Sequence, residues 1–568
     1  MNFLKSFLLT SLSISFFAFT FVFSVSAQTG KPNFNRAQTF DVQHYILRIN
    51  FDRPNKKIYG DTTVRLKPLS GNFKSVELDA AGLDFEAVAL VPENKILQFR
   101  ASGEKVYVEL DKIYSPEDTI SIRFVYTSTP KKGIYFVDSE VENGKIIRDS
   151  QIWTQGEAEE AHHWFPSFDF PSDKATTEQY ITAEKDETVI GNGELVEQKK
   201  NSDGTVTFHY KMPVPHSTYL VSFIVGKYVK FTEIYKTIPL GFYVYPGSES
   251  IVPKAYGRAK DMFRVFEELT RIDYPYNKYD QTMVADFKFG GMENITATTM
   301  ADTDIFAANF PLTKGEVEDL VSHELAHSWF GNLVTCKNWA ELWLNEGFAT
   351  FMEAAYREKI YGRQDYLRKI RSDAQEFVVD DAVNKNRHGL YNQLARPDDS
   401  IFDTTNYQKG GAVIHTLRET VGDEVFWRAL NVYLNRHKFG NVETSDLQKA
   451  LEETSGKNLD WFFRQWVYGA GSPKLDVKQV YNPKSKTLRL SVSQVQKVDG
   501  ITPESFILPL EIEIKTTNGT KTEKLEIKNR MENFSFKLNG KPTQIKLDKN
   551  EKIPLKTVRI QPLVIQSK

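Results

Sequence analysis

Cysteine is nearly absent from this chain, which has one, Cys336, among 568 residues. A single thiol excludes an intrachain disulfide, so packed cores rather than covalent cross-links must stabilise the fold. We expect Cys336 itself to be buried and unreactive. A charge imbalance is also absent, because 72 basic residues oppose 74 acidic residues and leave a net charge of −2. This balance gives no indication of a nucleic-acid partner or of a polybasic membrane-binding surface.

The N-terminus has the features of a targeting segment. Lys5 precedes an apolar stretch at residues 7–23, and a Val-Ser-Ala tripeptide at residues 25–27 resembles a cleavage site of small residues. We predict that residues 1–27 are a secretory signal and that no stable membrane span remains after cleavage. An uncleaved anchor stays open as the alternative, because about 17 apolar residues just reach the length that spans a membrane.

The cysteine content also bears on the location of an exported protein. No cysteine stands directly after the apolar stretch, which argues against a lipoprotein. Export without disulfides is more typical of a bacterial periplasm or cell surface than of a eukaryotic lumen. The expected location is therefore periplasmic, cell-surface or secreted, in a bacterium.

Length and composition predict several packed domains. The 568 residues suffice for three or four domains, and apolar residues make up 40% of the chain. From residue 40 onward, Tyr45, Leu47 and Ile49 alternate with more polar neighbours, and similar short runs continue to about residue 235. This alternation predicts a large antiparallel β domain at residues 28–242.

Helical spacing replaces alternation near residue 245 and persists to about residue 468. It predicts a mostly helical domain at residues 243–471. The segments with helical spacing are residues 254–270, 315–330, 339–352, 350–361, 366–379, 410–421 and 445–455.

Alternation returns in the last part of the chain. One run contains Leu488, Leu490 and Val492, and another, residues 510–514, ends near the turn Asn518-Gly519. We predict a small β-sandwich at residues 472–568. The whole chain is therefore a multidomain α+β protein in this interpretation.

Two histidines and a glutamate have the spacing of a metal site. His323 and His327 belong to a His-Glu-x-x-His motif, and residues four apart on a helix share one face. Glu346, nineteen positions after His327, can supply a third ligand from a second helix. Three protein ligands leave one position for water, as a catalytic zinc site requires. Glu324, beside the ligands, has the position of a general base for that water.

With two further motifs, this pattern resembles the M1 family of zinc aminopeptidases (the gluzincins), which includes aminopeptidase N and leukotriene A4 hydrolase. The Phe-Gly-Gly-Met-Glu-Asn segment at residues 289–294 is similar to the exopeptidase signature of the family, usually written Gly-x-Met-Glu-Asn. The Tyr-Gln-Lys-Gly segment at residues 407–410 is similar to its Tyr-x-Lys-Gly segment. The resemblance extends from about residue 36 to residue 475.

The resemblance implies one Zn²⁺ ion per chain, held by His323, His327 and Glu346, and hydrolysis of N-terminal residues from peptides. It implies a thermolysin-like fold for the helical domain. It gives Glu324 the role of general base and Tyr407 that of a hydroxyl donor to the tetrahedral oxyanion. The expected partners are peptides with a free N-terminus.

An aminopeptidase must also bind the free amine of its substrate, and a carboxylate near the metal can pair with it. The resemblance implies Glu293 for this contact and places Met292 in the first substrate pocket. Gly290 and Gly291 would let an extended peptide backbone approach closely.

A second candidate for amine recognition lies in the β domain. The Thr-Gln-Gly-Glu-Ala segment at residues 154–158 resembles a Thr-Gln-x-Glu-Ala segment of bacterial members, which implies Gln155 for the first pocket and Glu157 for the amine. The stretch that follows departs from the family pattern, with Ser167 in place of a cysteine and Phe170 in place of a glutamate. Gln155 and Met292 are neutral, which favours apolar or unbranched side chains over acidic ones.

The adjacent residues His162 and His163 do not indicate a second metal site. Neighbouring residues on a strand face opposite ways, so we expect two solvated or hydrogen-bonded histidines. The alternatives for the whole chain are an M1 member with additional epoxide hydrolase activity and a non-catalytic peptide-binding scaffold. The complete set of chemical residues favours the aminopeptidase.

Many members of the family continue into a large C-terminal helical domain that closes over the active site. The sequence ends at Lys568 with no segment that predicts such a domain. An open site that admits long peptides and a homodimer that covers the site are both compatible with this pattern.

Overall fold

The computed structural model describes residues 36–566. The predicted secretory signal at residues 1–27 lies outside this range, as do the first residues of the predicted β domain. Among the helices of residues 36–566, none combines the length and the apolar composition needed to cross a membrane.

The N-terminal part is rich in β-strands, as predicted. In strand Phe40–Asp52, the side chains of Tyr45, Leu47 and Ile49 are buried, in agreement with their alternation. An eight-stranded sheet dominates this part. Its strands in spatial order are Glu194–Lys200, Val206–His216, Ala175–Ala183, Phe40–Asp52, Lys57–Pro68, Ile120–Ser128, Asp84–Leu90 and Lys95–Ile96.

One pairing in this sheet corrects the prediction of an antiparallel domain. Strand Phe40–Asp52 runs parallel to Ala175–Ala183 and antiparallel to Lys57–Pro68. A parallel pair requires a long crossover connection. Alternation within a short segment reports which face is buried, but it does not reveal a partner that lies far away in sequence.

Smaller sheets complete the N-terminal part. A four-stranded sheet contains the strand that leads into Gln155, and a three-stranded sheet and a hairpin lie beside it. Their strands are Thr188–Gly191, Phe223–Gly226, Gln151–Thr154 and Ile134–Val137; Phe73–Asp79, Lys105–Tyr114 and Gln98–Ser102; and Glu140–Glu142 with Lys145–Arg148.

A five-stranded sheet accompanies the first helices of the middle part, a feature that the helical spacing did not predict. Strand Tyr279–Val284 is buried along its whole length, so its sequence shows no alternation. The predicted boundary at residues 242/243 falls inside strand Ile238–Val244 of this sheet, and the domain boundaries stay predictions. The strands in order are Val229–Tyr235, Ile238–Val244, Tyr279–Val284, Ala297–Ala301 and Gly291–Met292.

Helices dominate the rest of the middle part, as predicted. The predicted segment 254–270 is divided into two helices near Gly257, where an added Cβ would lie 2.4 Å from the carbonyl oxygen of Pro253. The helices are α1 (Val252–Ala255), α2 (Ala259–Thr270), α3 (Asp302–Phe306), α4 (Lys314–Ala326), α5 (Trp343–Tyr361), α6 (Arg363–Asp381), α7 (Gly410–Val421), α8 (Asp423–His437), α9 (Thr444–Ser455) and α10 (Asp460–Trp466). A two-stranded sheet, Thr335–Cys336 with Asn441–Val442, links two of the loops.

The C-terminal β region, residues 474–565, contains two sheets whose apolar faces are buried. Leu488, Leu490 and Val492 are buried, and the hairpin between the next two strands turns at Thr517 and Asn518, one residue before the predicted turn, with Gly519 as the first residue of the second strand. The thermolysin-like and sandwich details of the architecture stay predictions. The strands are Met531–Lys537, Thr487–Gln494, Lys474–Asn482, Thr557–Ile560 and Val564–Ile565; and Gly519–Ile527, Leu508–Thr516 and Pro542–Leu547.

Candidate active site

Helices α4 and α5 bring the three predicted metal ligands together. Although α4 ends at Ala326, His327 continues its helical path, with its N–H bonded to the carbonyl of His323 at 3.2 Å. Nε2 of His323 lies 3.1 Å from Oε2 of Glu346, and Nε2 of His327 lies 3.4 Å from the same oxygen. All three side chains are buried. They form one cluster of donor atoms that could hold a metal ion.

Each histidine has a second partner that orients its ring. Nδ1–H of His323 donates to Oε1 of Glu353 at 2.7 Å, and Nδ1–H of His327 donates to the carbonyl of Phe330 at 2.9 Å. Glu353 also pairs with Lys369 at 2.8 Å. Such bonds fix the tautomer of each ring and direct both Nε2 atoms toward Glu346. Two imidazole nitrogens and one carboxylate held in this way fit a divalent metal ion.

The buried charges of the cluster stabilise a positive charge at its centre. Burial by itself would lower the pKa of His323, but its bonds to Glu346 and Glu353 raise that pKa to about 9. Burial opposes the ionisation of Glu346, yet His327 and His323 lower the pKa of this carboxyl to about 2. A cation between these groups would therefore meet an ionised carboxylate and well-oriented nitrogens.

Glu324 lies beside the cluster and is confined by the backbone of Gly291. Its side chain is buried, and burial raises the pKa of its carboxyl to about 8. A Cβ added to Gly291 would lie 2.0 Å from Oε1 of Glu324. Glycine at this position therefore leaves room for the Glu324 carboxylate, a reason that adds to the predicted approach of a peptide backbone.

Tyr407 contacts the cluster through its aromatic ring. It lies in a single π-helical turn, Thr405–Lys409, and its ring stacks on that of His323 with 5.8 Å between centroids and 10° between planes. Burial, together with the charge of Glu346, raises the pKa of Tyr407 well above its ordinary value. Its hydroxyl therefore stays protonated at neutral pH and can donate a hydrogen bond.

Two more carboxylates face the same space as the metal cluster. One oxygen each of Glu157, Glu293 and Glu346 lies within 4.8 Å of the other two. Oε1 of Glu157 and Oε1 of Glu293 are buried without a hydrogen-bond partner among the described residues. Burial and the charge of Glu293 raise the pKa of Glu157 well above its ordinary value. A ligand with a positive charge would relieve this repulsion.

A cleft of about 560 Å³ opens onto these groups. Ten of the eleven predicted site residues line it; Gly290, with a positive φ of 77°, lies just behind the wall. The amide of Gln155 donates to Sδ of Met292 at 3.4 Å, so the two predicted pocket residues touch. The lining members of the predicted set are Gln155, Glu157, Gly291, Met292, Glu293, His323, Glu324, His327, Glu346 and Tyr407.

Comparison with known families agrees with this geometry. The model described as "Peptidase M1 N-terminal domain" matches residues 41–220, and the model described as "Peptidase family M1 domain" matches residues 254–466. The chain belongs to peptidase family M1. A third model, "TAF2 Ig-like domain", matches residues 470–562 of this M1 chain.

Relatives of the M1 chain carry aminopeptidase names. "Aminopeptidase 2" of Candida albicans is 28% identical over 88% of this chain and 55% of its own length. "Aminopeptidase N" of Streptomyces lividans is 34% identical over 61% of this chain and 40% of its own length. "Probable aminopeptidase 1" of Saccharolobus solfataricus is 28% identical over 80% of this chain and 56% of its own length. The chain thus spans about half the length of the curated relatives it matches.

The sequence analysis missed Glu353, the partner of His323. Glu353 lies seven residues after Glu346 on α5, so both carboxylates project from the same side of that helix. This spacing is a signal that the sequence contains. Lys369 on α6 pairs with both Glu353 and Asp373, and its i, i+4 spacing with Asp373 occurs on many helices and carries no such signal.

The segment after Glu157 corrects one detail. His162 and His163 lie in a short 3₁₀ helix, not on a strand, and their rings stack with 4.6 Å between centroids. His162 pairs with Asp169 at 2.7 Å, and Asp169 also accepts from Thr218 at 2.7 Å. His162 is thus a hydrogen-bonded histidine, as expected. Ser167 is fully buried in this segment, and its backbone forms an isolated bridge with Asp79.

Proposed function

We propose that this M1 chain is a zinc-dependent aminopeptidase that hydrolyses N-terminal residues from peptides. The observation that carries the proposal is the cluster of Glu157, Glu293 and Glu346, in which Oε1 of Glu157 and Oε1 of Glu293 have no hydrogen-bond partner among the described residues. Carboxylates in this position pair with the α-ammonium group of a peptide and hold its first peptide bond at the cluster. An endopeptidase would bury these charges without compensation.

His323, His327 and Glu346 would hold the Zn²⁺ ion. When bound, the ion polarises the scissile carbonyl and lowers the pKa of a coordinated water. The chain prepares the site with the bonds of Glu353 and of the Phe330 carbonyl to the histidine rings. These bonds occupy both Nδ1 atoms, so each ring presents its Nε2 to Glu346 and both Nε2 atoms are aimed at the same point.

Glu324 moves the proton in this proposal. Its carboxylate accepts a proton from the attacking water and returns it to the amine that leaves. The side chain is buried next to both histidines, and Gly291 limits where it can lie. A base held in one place needs no reorganisation before the reaction.

Tyr407 stabilises the negative charge that develops on the carbonyl oxygen. Its hydroxyl is protonated at neutral pH, and Tyr407 lines the same cleft as Met292. A donor fixed in a buried site is worth more to the transition state than the same donor in water.

The first substrate pocket contains the Gln155 amide and the Met292 thioether, so it favours apolar or unbranched side chains over acidic ones. The backbone of Gly290 and Gly291 would lie along the substrate peptide. Export through residues 1–27 and assembly as a homodimer stay predictions.

The proposal is tested by incubating the protein with a peptide of known sequence and following the products by mass spectrometry. We expect removal of one residue at a time from the N-terminus, loss of this activity on treatment with a chelator, and recovery with Zn²⁺. Internal cleavage, or cleavage that a chelator leaves unchanged, would contradict the proposal.

A further inference from the structure

The segment that carries Tyr407 is connected to the C-terminal β region at both ends, directly at its start and through residues 469 and 470 at its end. We call residues 387–409 the Tyr407 segment. At its end, Nζ of Lys409 donates to the carbonyl of Gly469 at 2.7 Å. The next residue, Ala470, donates its N–H to the carbonyl of Ile501 in the C-terminal β region at 2.9 Å. Lys409 is thus connected to the C-terminal β region through residues 469 and 470.

Lysine is an unusual residue at a fully buried position such as that of Lys409. It is fully buried, with its ammonium against the Gly469 carbonyl and 5.7 Å from the centre of the Phe377 ring. Burial lowers its pKa to about 7. An amine so placed contributes little to stability, because the loss of hydration offsets most of the hydrogen bond. A positional role explains its presence better than a stabilising one.

Arg387 fastens the start of the segment to the same region. Its guanidinium pairs with Asp499 and donates to Oγ1 of Thr502 at 3.0 Å, both in the C-terminal β region. It also pairs with Asp381 at the end of α6, at 2.8 Å. The guanidinium is therefore held from both sides of the boundary between the catalytic part and the C-terminal β region.

Bonds inside the segment connect these ends to the Tyr407 turn. His388 pairs with Asp403 at 2.6 Å, and the carboxylate of Asp403 accepts from the N–H groups of Thr405 and Asn406 at 3.1 and 3.0 Å. The N–H of Lys409 bonds to the carbonyl of Thr404 at 2.9 Å and closes the turn. A displacement of the backbone near Arg387 or Lys409 would thus also displace the Tyr407 ring.

We propose that Lys409 and Arg387 are positioning residues that fasten the Tyr407 segment to the C-terminal β region and thereby fix where the Tyr407 hydroxyl lies. This inference rests on the proposed function. Among the described residues, the C-terminal β region contributes no side chain to the cleft wall. The C-terminal β region therefore affects the reaction through the contacts of Lys409 and Arg387, which we call the two tethers.

Amide hydrogen exchange tests the tethers without reference to activity. Lys409→Met removes the hydrogen-bond donor and keeps an apolar side chain of similar length. Asp499→Asn weakens the contact with Arg387 by a substitution in the C-terminal β region. We expect residues 401–409 to exchange faster in both variants, while α4 and α5 keep their protection. Arg371→Met is the matched control, because the Arg371–Glu551 pair at 2.8 Å joins α6 to the same region away from Tyr407.

Kinetics then test the consequence for the reaction. We expect Lys409→Met to lower kcat about 10- to 100-fold, the range for a small displacement of a group at the reaction centre. Its KM, bound metal and thermal unfolding should stay close to those of the unaltered protein. In a Tyr407→Phe background the same substitution should change kcat less than about twofold, because the hydroxyl to be positioned is already absent.

The outcomes separate the inference from the proposed function. Unchanged exchange of residues 401–409 in both Lys409→Met and Asp499→Asn would overturn the inference, and so would equal kcat losses with and without the Tyr407 hydroxyl. An unaltered protein that hydrolyses no peptide would overturn the proposed function, and the exchange measurement would still decide whether the tethers exist.

Discussion

Gly347 and Gly410 bring helices α5 and α7 into backbone contact next to the candidate active site. A Cβ added to Gly347 would lie 2.9 Å from Cα of Gly410, and one added to Gly410 would lie 2.7 Å from Cα of Gly347. Gly347 follows the predicted ligand Glu346, and Gly410 follows the turn of Tyr407. The contact therefore sets the distance between a metal ligand and the predicted oxyanion donor.

Gly410→Ala should separate the two helices and displace Tyr407 from the metal cluster. Overpacking of this kind costs about 1–3 kcal/mol of stability. We expect a lower melting temperature and a kcat at least 10-fold lower, the latter because a displaced donor loses most of its effect. Gly315→Ala in α4 is the control, since the nearest atom to its added Cβ is 3.4 Å away. Equal behaviour of the two variants would contradict the contact argument.

Glu324→Gln should abolish turnover while the metal site stays intact. Glutamine keeps the shape of the side chain but cannot accept the proton, and loss of a general base costs about 100- to 10,000-fold in kcat. Metal content, measured on the purified variant, should equal that of the unaltered protein. Full activity in Glu324→Gln would contradict the mechanism.

Glu353→Gln should weaken metal binding although Glu353 is not a ligand. The variant loses the charged acceptor at Nδ1 of His323, and loss of such a partner typically lowers metal affinity about 10- to 100-fold. Competition with a chelator of known affinity measures the change. Glu376→Gln, an exposed residue on the same cleft, removes an equal charge and should leave affinity unchanged. An equal loss of metal affinity in both variants would show that the negative charge matters and not the bond to His323, and it would contradict this prediction.

Glu293→Ala should raise KM for substrates with a free amine and reduce the selectivity for N-terminal cleavage. The carboxylate pairs with the α-ammonium group in the proposed complex, and removal of one partner of a buried charge pair costs binding. Glu316→Ala, on the outer wall of the cleft, is the control. Unchanged KM in Glu293→Ala would remove this residue from the proposed amine site.

Buried His415 should make the stability of the fold depend on pH. Nδ1 of His415 accepts from the Tyr366 hydroxyl at 2.5 Å, and Nε2–H donates to the carbonyl of Glu551 at 2.8 Å, so the ring is neutral. Burial lowers its pKa in the folded state to about 3, whereas an unfolded histidine titrates at about 6.5. Between these values the unfolded state binds more protons, and the folded state loses stability as the pH falls.

Chemical denaturation at several pH values between 4 and 7 measures this dependence. One such histidine contributes a slope of at most about 1.4 kcal/mol per pH unit. We expect His415→Gln to make the dependence shallower by up to this amount, because glutamine can keep both hydrogen bonds and does not titrate. An identical slope in the variant would show that His415 is not the source.

Much of the candidate site could be predicted because its chemical residues lie in short sequence motifs. His323, Glu324 and His327 lie on one helical turn, and Glu346 lies in an apolar run that has no other use for a carboxylate. Helix α7 begins and ends at the predicted residues, and Gly422, with a positive φ of 95°, ends it. Signals such as these lie within single short segments, so they can be recognised before the tertiary fold is known.

The rest required contacts between distant parts of the chain. The parallel pairing of strand Phe40–Asp52, the contact of Gly347 with Gly410, and the bond from Lys409 to Gly469 each join segments that the sequence places far apart. Periodicity reports which face of an element is buried, but it does not identify the partner. The roles of the site residues stay predictions until the variants above are measured.

The central claim is that a buried carboxylate pair beside a metal cluster selects peptides by their free amine. Its most direct test is hydrolysis of a panel of aminoacyl-aminomethylcoumarins beside the same compounds with acetylated amines, each with and without a chelator. The account predicts chelator-sensitive cleavage of the free-amine set and none of the acetylated set. Comparable cleavage of the acetylated compounds would contradict it.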